Sequence, residues 1–214
     1  MRVISYNIHS GTDKQKKHTL TDTIKYLKQQ DADIICLQEV LYSNYRRIKF
    51  NLRMNGIFAE NVSDKNYGVC IFSKYKIVAQ NHVFLTSKKE QRGFAHIKVK
   101  INEDEYFNVI NTHLGLDKYE RVKQIDEILD FVSINLEGNI ENLAGNIICG
   151  DFNEKNISIN NFEDVSIKLN KDSIPTFSDS RIDYCFANTN LRIEDYTVDD
   201  VYMSDHFPIV VDFK

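Results

Sequence analysis

The sequence predicts an α/β protein of the α+β kind, in which two mixed β-sheets pack face to face and carry helices on their outer surfaces. Apolar runs of strand length recur along the chain, and only some of them are separated by helices. Three longer segments instead space their apolar residues at the helical period. One hairpin-like link, Asn102-Glu103-Asp104-Glu105, joins two strands directly, which requires antiparallel pairing and argues against a purely doubly wound parallel sheet.

In chain order, a strand over 2–7 opens the sequence. A helix over 19–30 follows, with Leu20, Ile24 and Leu27 on one face. The run Ile34-Ile35-Cys36-Leu37 makes a strand over 34–39, and Tyr45, Ile48 and Leu52 mark a second helix over 44–54. Strands over 69–73, 94–101 and 106–112 come next. The longest helix spans about 118–136, with Val122, Ile125, Leu129, Val132 and Leu136 facing inward and Gly138 near its end. Strands over 147–151, 182–187 and 209–213 complete the set. Internal repeats and low-complexity linkers are missing from the sequence, and its two prolines are Pro175 and Pro208, so a single domain over 1–214 is expected.

At 214 residues and 42% hydrophobic content, the chain can bury a substantial core. A net charge of -4 supplies no global attraction to nucleic acid or to an anionic membrane, so either partner has to be argued from a site. No apolar run is long enough to span a bilayer, and the opening residues read as a strand rather than a leader, which makes a cytoplasmic protein the expectation. Cys36, Cys70, Cys149 and Cys185 are far apart and sit mainly in strand-like runs without zinc-site spacing, as reduced core residues would.

Chemistry enters at the ends of the apolar runs. Ile34 to Leu37 delivers Glu39, Val109-Ile110 delivers Asn111 and His113, and Ile147 to Cys149 delivers Asp151 and Asn153, with Ser204-Asp205-His206 near the end of the chain. Charged groups repeatedly placed at strand ends are costly unless paired or metal-bound, so they point to one composite polar site.

Six segments taken together resemble the endonuclease/exonuclease/phosphatase superfamily. They are Ser5-Tyr6-Asn7-Ile8, Leu37-Gln38-Glu39-Val40, Asn111-Thr112-His113-Leu114, Gly150-Asp151-Phe152-Asn153, Arg181-Ile182-Asp183-Tyr184 and Ser204-Asp205-His206-Phe207-Pro208, in the family's order over nearly the whole chain. The resemblance implies a DNase I-like four-layer sandwich and metal-dependent cleavage of phosphate esters. It implies Mg2+, for which Mn2+ can substitute, held by Glu39 with Asn7, and Asp205 on a second or transient cation. Asp151 and Asn153 match positions that orient the attacking water and hold the phosphate. His206 would contact the phosphate with Asp183 on its other ring nitrogen, and His113 would add a contact supported by Asn111. Arg92 sits where some small members carry a similar residue and could reach a substrate phosphate. Either Asp151 or His206 could be the general base.

Each residue also has a plainer reading. Asn7 alone is an ordinary turn residue, Glu39 a helix cap, His113 a hydrogen-bonded imidazole and Arg92 a solvated surface arginine. Lys14, Lys16, Lys17, Lys88 and Lys89 form a basic lip over the site or are simply loop lysines. Tyr42 and Tyr45 are better explained by helix packing than by stacking on a base. The leading expectation is a phosphodiesterase acting on a small or lipid-derived ester, as a monomer. A nuclease of the abasic-site or deoxyribonuclease type is the alternative, and a catalytically dead binding module the third. Against the repair branch stand the lack of any Trp, with Tyr6 beside Asn7, and a compact stretch between Asn153 and Asp183 that leaves little for a minor-groove wedge.

Overall fold

The computed structural model describes residues 1–62, 66–136 and 142–214. Its first sheet comprises β1 (Arg2–Asn7), β2 (Ile34–Leu41), β3 (Asn55–Val62), β4 (Tyr67–Ser73), β11 (Ile193–Val198) and β12 (Ile209–Phe213), in the order β11-β12-β1-β2-β4-β3. The second comprises β5 (Lys76–Leu85), β6 (Arg92–Lys100), β7 (Tyr106–His113), β8 (Leu143–Asp151), β9 (Glu163–Asp164) and β10 (Asp183–Thr189), in the order β5-β6-β7-β8-β10-β9. Both are mixed: β1 and β2 are parallel, as are β7 and β8, while their other neighbours are antiparallel. Helices α1 (Leu20–Gln30) and α2 (Tyr42–Leu52) cover the first sheet, α3 (Lys118–Asn135) covers the second, and a short α4 (Val165–Lys168) follows β9.

Three apolar layers hold these elements together. Between the sheets, Val3, Cys36, Ile71, Ile97, Val109, Ile147 and Val211 are fully enclosed. Ile24, Leu27 and Ile48 seal the first sheet against its helices, and Ile128 and Val132 seal the second against α3. Removing each such side chain from water contributes roughly 1.5–3 kcal/mol. The four cysteines are free and buried, with the sulfurs of Cys149 and Cys185 3.4 Å apart. Tyr45 stacks on Phe72 under α2, which makes it a packing residue. Among the described residues, no helix is long and apolar enough to cross a membrane.

Two expectations change. Val122 of α3 is exposed, and the buried stripe is Arg121, Gln124, Ile128 and Val132. The helix is turned because its polar residues reach the loops beside it, as shown below. Gly138 lies outside the described residues. Four strands also join those expected, β3, β5, β9 and β11, and all four are sheet edges.

Candidate active site

Five strand ends converge at one end of the sandwich. Asn7 closes β1, Glu39 lies near the end of β2, His113 closes β7, Asp151 closes β8 and Asp183 opens β10. Register aligns them: Asn7 is opposite Gln38, and Asp151 is opposite both His113 and Asp183. The approach of β7 to β8 needs Gly150, whose φ is +146° and where a Cβ would lie 2.0 Å from the Thr112 carbonyl oxygen. Glu39 has φ +53° inside a register shift between Leu37 and Val40. A bulge of this kind re-aims a side chain, here at a backbone cost of about 1–3 kcal/mol.

Asp151 is the centre of the arrangement. Its Oδ1 accepts the Asn153 amide N–H at 2.9 Å, and its Oδ2 accepts Asn7 Nδ2 at 3.0 Å, a bond that crosses from one sheet to the other. His113 Nε2 lies 3.5 Å and His206 Nε2 3.6 Å from the same oxygen. Burial, reinforced by the neighbouring Asp183 carboxylate, outweighs the pull of His206 and the hydrogen bonds and pushes Asp151 up to about 7.

The two histidines are driven in opposite directions. Burial opposes a charge on His206, but Asp183, whose Oδ2 lies 2.9 Å from Nδ1, together with Asp151 and Asp205 raises the ring to about 9. Burial, then Arg92, then His206 hold His113 well below the ordinary histidine range. Arg92 donates from Nη1 to His113 Nδ1 at 3.3 Å, so the neutral ring carries its hydrogen on Nε2, toward Asp151. A cationic imidazole and a neutral one therefore flank a single buried carboxylate.

The remaining expected residues fall into distinct places. Asn7 donates to Glu39 Oε1 at 3.1 Å while its own Oδ1 accepts the His9 N–H, so it meets the carboxylates as a donor. Asn153 donates from Nδ2 to the Leu114 carbonyl at 2.9 Å, tying the Asp151 turn to the end of β7. Asn111, the expected support of His113 at the substrate, is instead fully enclosed. Its Oδ1 accepts Gln38 Nε2 at 2.6 Å, and its Nδ2 donates to the Leu37 and Cys70 carbonyls at 2.9 Å. These bonds join the sheets behind the site and leave it no group for a ligand. Asp205 stands at the rim, 3.3 Å from His9 Nδ1, and Lys16 Nζ reaches His9 Nε2 from the loop above.

Sequence reasoning passed over several participants. The hydroxyl of Tyr67, the first residue of β4, hydrogen-bonds Glu39, and burial with that carboxylate drives its ionisation far upward. Phe177 lies against the His206 ring, with centroids 4.6 Å apart. The Thr176 hydroxyl accepts the Asp183 N–H at 3.1 Å, fixing the residue that orients His206. Arg121 donates to the Gly115 carbonyl at 3.1 Å and pairs with Glu154, bridging the loops that follow His113 and Asn153. An arginine at a position that helical spacing places beside the apolar face was the available signal for the last of these.

Among the described residues, two groups of side chains could hold a metal ion: Glu39, His113 and Asp151, and Asp151, Asp183 and His206, each with ligand atoms within 4.8 Å of one another. Arg92 and Asp183 already engage the Nδ1 atoms of the two histidines. The carboxylate oxygens of Glu39 and Asp151 are therefore the prominent donors, a hard set that suits Mg2+ or Mn2+.

Comparison with known proteins agrees with this architecture. Residues 4–206 match the model of the Endonuclease/Exonuclease/phosphatase family. An exodeoxyribonuclease of Bacillus subtilis (strain 168) is 27% identical over 161 residues, a match covering 72% of this chain and 58% of that protein. Among solved structures, a humanized D. rerio TDP2 superposes with a TM-score of 0.83 at 18% identity, covering 100% of this chain and 98% of the other. The Bacteroides thetaiotaomicron VPI-5482 mannosyl-6-phosphatase superposes with a TM-score of 0.76 at 20% identity, covering 100% and 99%. At these identities the structural likeness is one of fold.

Proposed function

The chain belongs to the endonuclease/exonuclease/phosphatase family, whose members hydrolyse phosphate esters, and from that premise we propose that it is a magnesium-dependent phosphodiesterase acting on a small or lipid-derived ester. The observation that carries the reading is the Asp151 carboxylate held between Asn7, His113 and His206. Raised to about 7, it is a base whose strength suits removal of a proton from water near neutrality.

In this reading Asp151 takes the proton of the attacking water on one face of the phosphorus, and the ester oxygen departs on the opposite face. His206, kept cationic by Asp183, donates from Nε2 to a phosphoryl oxygen as negative charge grows there. The neutral His113 donates from Nε2, and the Arg92 guanidinium behind it fixes that tautomer and adds positive potential. Asn153 keeps the Asp151 turn in register with Leu114. Mg2+, held by Glu39 and assisted by Asn7 and Asp205 at the rim, would supply Lewis-acid neutralisation of the phosphate.

A nuclease is the second reading, favoured by the sequence likeness to the B. subtilis exodeoxyribonuclease, of which this chain spans 58%. The deciding experiment incubates the protein with Mg2+ or Mn2+ on supercoiled DNA, abasic-site duplex, RNA, bis-p-nitrophenyl phosphate, p-nitrophenyl phosphate, sphingomyelin and inositol phosphates in parallel. Efficient abasic-site incision with little turnover of small diesters would replace the first reading by the second. Undiminished turnover in excess chelator would remove the metal from both.

A further inference from the structure

A cavity of about 260 Å³ opens beside Arg92, walled by Lys88, Lys89, Glu90, Gly115 and Leu116. Arg92 belongs to both spaces: it lines the cavity, and its Nη1 contacts His113 in the site described above. Its side chain is 9% exposed and is held by Glu90 at 3.0 Å. The buried Arg92 side chain is therefore a wall shared by the cavity and the candidate active site.

Its walls are tied down mainly by side chains of α3, with Ser87 adding one bond. On one side, the Lys88 N–H is accepted by Glu120 Oε1 at 2.7 Å, the Thr86 N–H by Glu127 at 2.8 Å, and the Arg92 N–H by Ser87 Oγ at 2.9 Å. On the other, the Gly115 N–H donates to Gln124 Oε1 at 2.8 Å and its carbonyl accepts from Arg121. A Cβ on Gly115 would lie 2.7 Å from Glu120 Oε2, so a side chain there would displace the carboxylate that anchors the lysine loop. This is the polar stripe for which α3 is turned. Rigid walls of this kind lower the ordering penalty when a ligand binds.

The chemistry of the walls is mixed. Glu90 is paired with Arg92, Glu120 accepts the Lys88 N–H, and Asp117 caps α3 by accepting the Tyr119 and Glu120 N–H groups. Among the described residues, the ammonium groups of Lys88 and Lys89 make no salt bridge or hydrogen bond; the N–H bonds that Asp117 accepts, together with the nearby charge of Lys88, hold its carboxyl below the ordinary range. Leu116 is 77% exposed on the cavity wall, an apolar surface at the mouth. With Glu90 engaged by Arg92 and with Glu120 and Asp117 turned to backbone N–H groups, the two lysines, one apolar surface and a volume of about 260 Å³ match a phosphorylated ligand of modest size.

We propose that this cavity is a second subsite, in which Lys88 and Lys89 take a second phosphoryl group of a ligand whose first phosphate lies at His113 and His206, on the other side of Arg92. The proposal rests on the phosphoesterase reading for what occupies the first position. Nucleotides and sugar bisphosphates share the required chemistry.

The test compares ligands that differ only in the second phosphate. With Mg2+ at about 0.15 M salt, where long-range surface attraction is screened, turnover is measured on thymidine 5′-(p-nitrophenyl phosphate) and its 3′-phosphorylated counterpart. Calorimetry compares thymidine 3′,5′-bisphosphate with thymidine 5′-monophosphate, and glucose 1,6-bisphosphate with glucose 1-phosphate. The bisphosphates should bind about tenfold more tightly, as two charge-assisted contacts allow. Lys88→Gln/Lys89→Gln should abolish that preference while leaving kcat and KM for the unphosphorylated ester unchanged, and Lys14→Gln/Lys17→Gln should preserve it. A preference confined to the thymidine pair assigns the Leu116 surface to a base; one seen in both pairs assigns the subsite to the anion alone. Equal affinities in both pairs, or a preference that survives in Lys88→Gln/Lys89→Gln or is lost equally in Lys14→Gln/Lys17→Gln, overturns the proposal. Absence of turnover on either ester defeats the phosphoesterase reading, while calorimetry still decides the subsite.

Discussion

At the scale of the residue, the site works against stability in order to hold a base. Asp151 is raised from 3.8 to about 7, so the folded protein binds an extra proton between those values and its stability declines as pH rises through them. Asp151→Asn removes the buried charge. In chelator at pH 8 its melting temperature should not fall below that of the wild type, while its rate drops by about 100-fold or more; a marked loss of stability would mean that the carboxylate is a structural anchor. His206 has the opposite sign. Its raised pKa contributes stability that is complete below 6.5 and lost as pH passes about 9. The profile of kcat/KM should therefore rise through about 7 and fall near 9. Asp183→Asn should move the alkaline limb downward, and an unmoved limb would separate His206 from catalysis. Glu39→Gln keeps shape and removes a charge, so it should raise the Mg2+ concentration needed for half-maximal rate by about tenfold or more. Magnesium titration of the rate reads this directly, and an unchanged midpoint would take Glu39 out of the metal site.

At the scale of the element, the strands that the sequence did not disclose are the edges of both sheets. β5 carries Gln80, Asn81 and His82, and β11 carries Glu194 and Asp195, because an edge strand faces water along much of its length and needs no continuous apolar run. Interior strands such as β2 and β8 are enclosed on both faces and read plainly. Helix α3 misled for the converse reason. Glu120, Arg121 and Gln124 look like a solvated face, yet they are buried because loop backbones accept and donate to them. Arg121→Gln should lower kcat about tenfold with a much smaller change in KM, since the loops carrying His113 and Asn153 lose a common tether. It should also destabilise the fold by about 1–3 kcal/mol, as a buried hydrogen-bonding group goes unsatisfied. Arg121→Lys, keeping one donor and the charge, should recover part of the rate, and a wild-type kcat in Arg121→Gln would show that the tether is dispensable.

At the scale of the whole molecule, a net charge of -4 shapes what the cleft can hold. Duplex DNA is gripped chiefly through many phosphate contacts and counterion release, which an acidic protein supplies poorly. Cleavage of DNA should therefore be weak already at about 50 mM salt and, like hydrolysis of bis-p-nitrophenyl phosphate, change little up to about 200 mM, because the salt slope grows with the number of phosphates contacted. Parallel rate measurements against salt decide this, and a steep fall confined to DNA would indicate many phosphate contacts along a basic track that net charge conceals.

The fold class, the interior strands and the identity of the polar groups at their ends are legible in the chain alone. Apolar period and strand-end position are local properties, and Asn7, Glu39, His113, Asp151, Asp183 and His206 each carry that local signature or a motif around it. Tertiary structure alone decided how they act on one another. The separation of His206 from His113 into cationic and neutral rings depends on Asp183 reaching one and Arg92 the other, contacts spanning 23 and 21 residues of chain. The confinement of Asn111 to the joint between sheets, the bulge that turns Glu39 and the role of Arg121 arise in the same way. Hydrogen bonding and electrostatics act through space over a few ångströms, so partners distant in the chain become defined only when the two sheets close on each other.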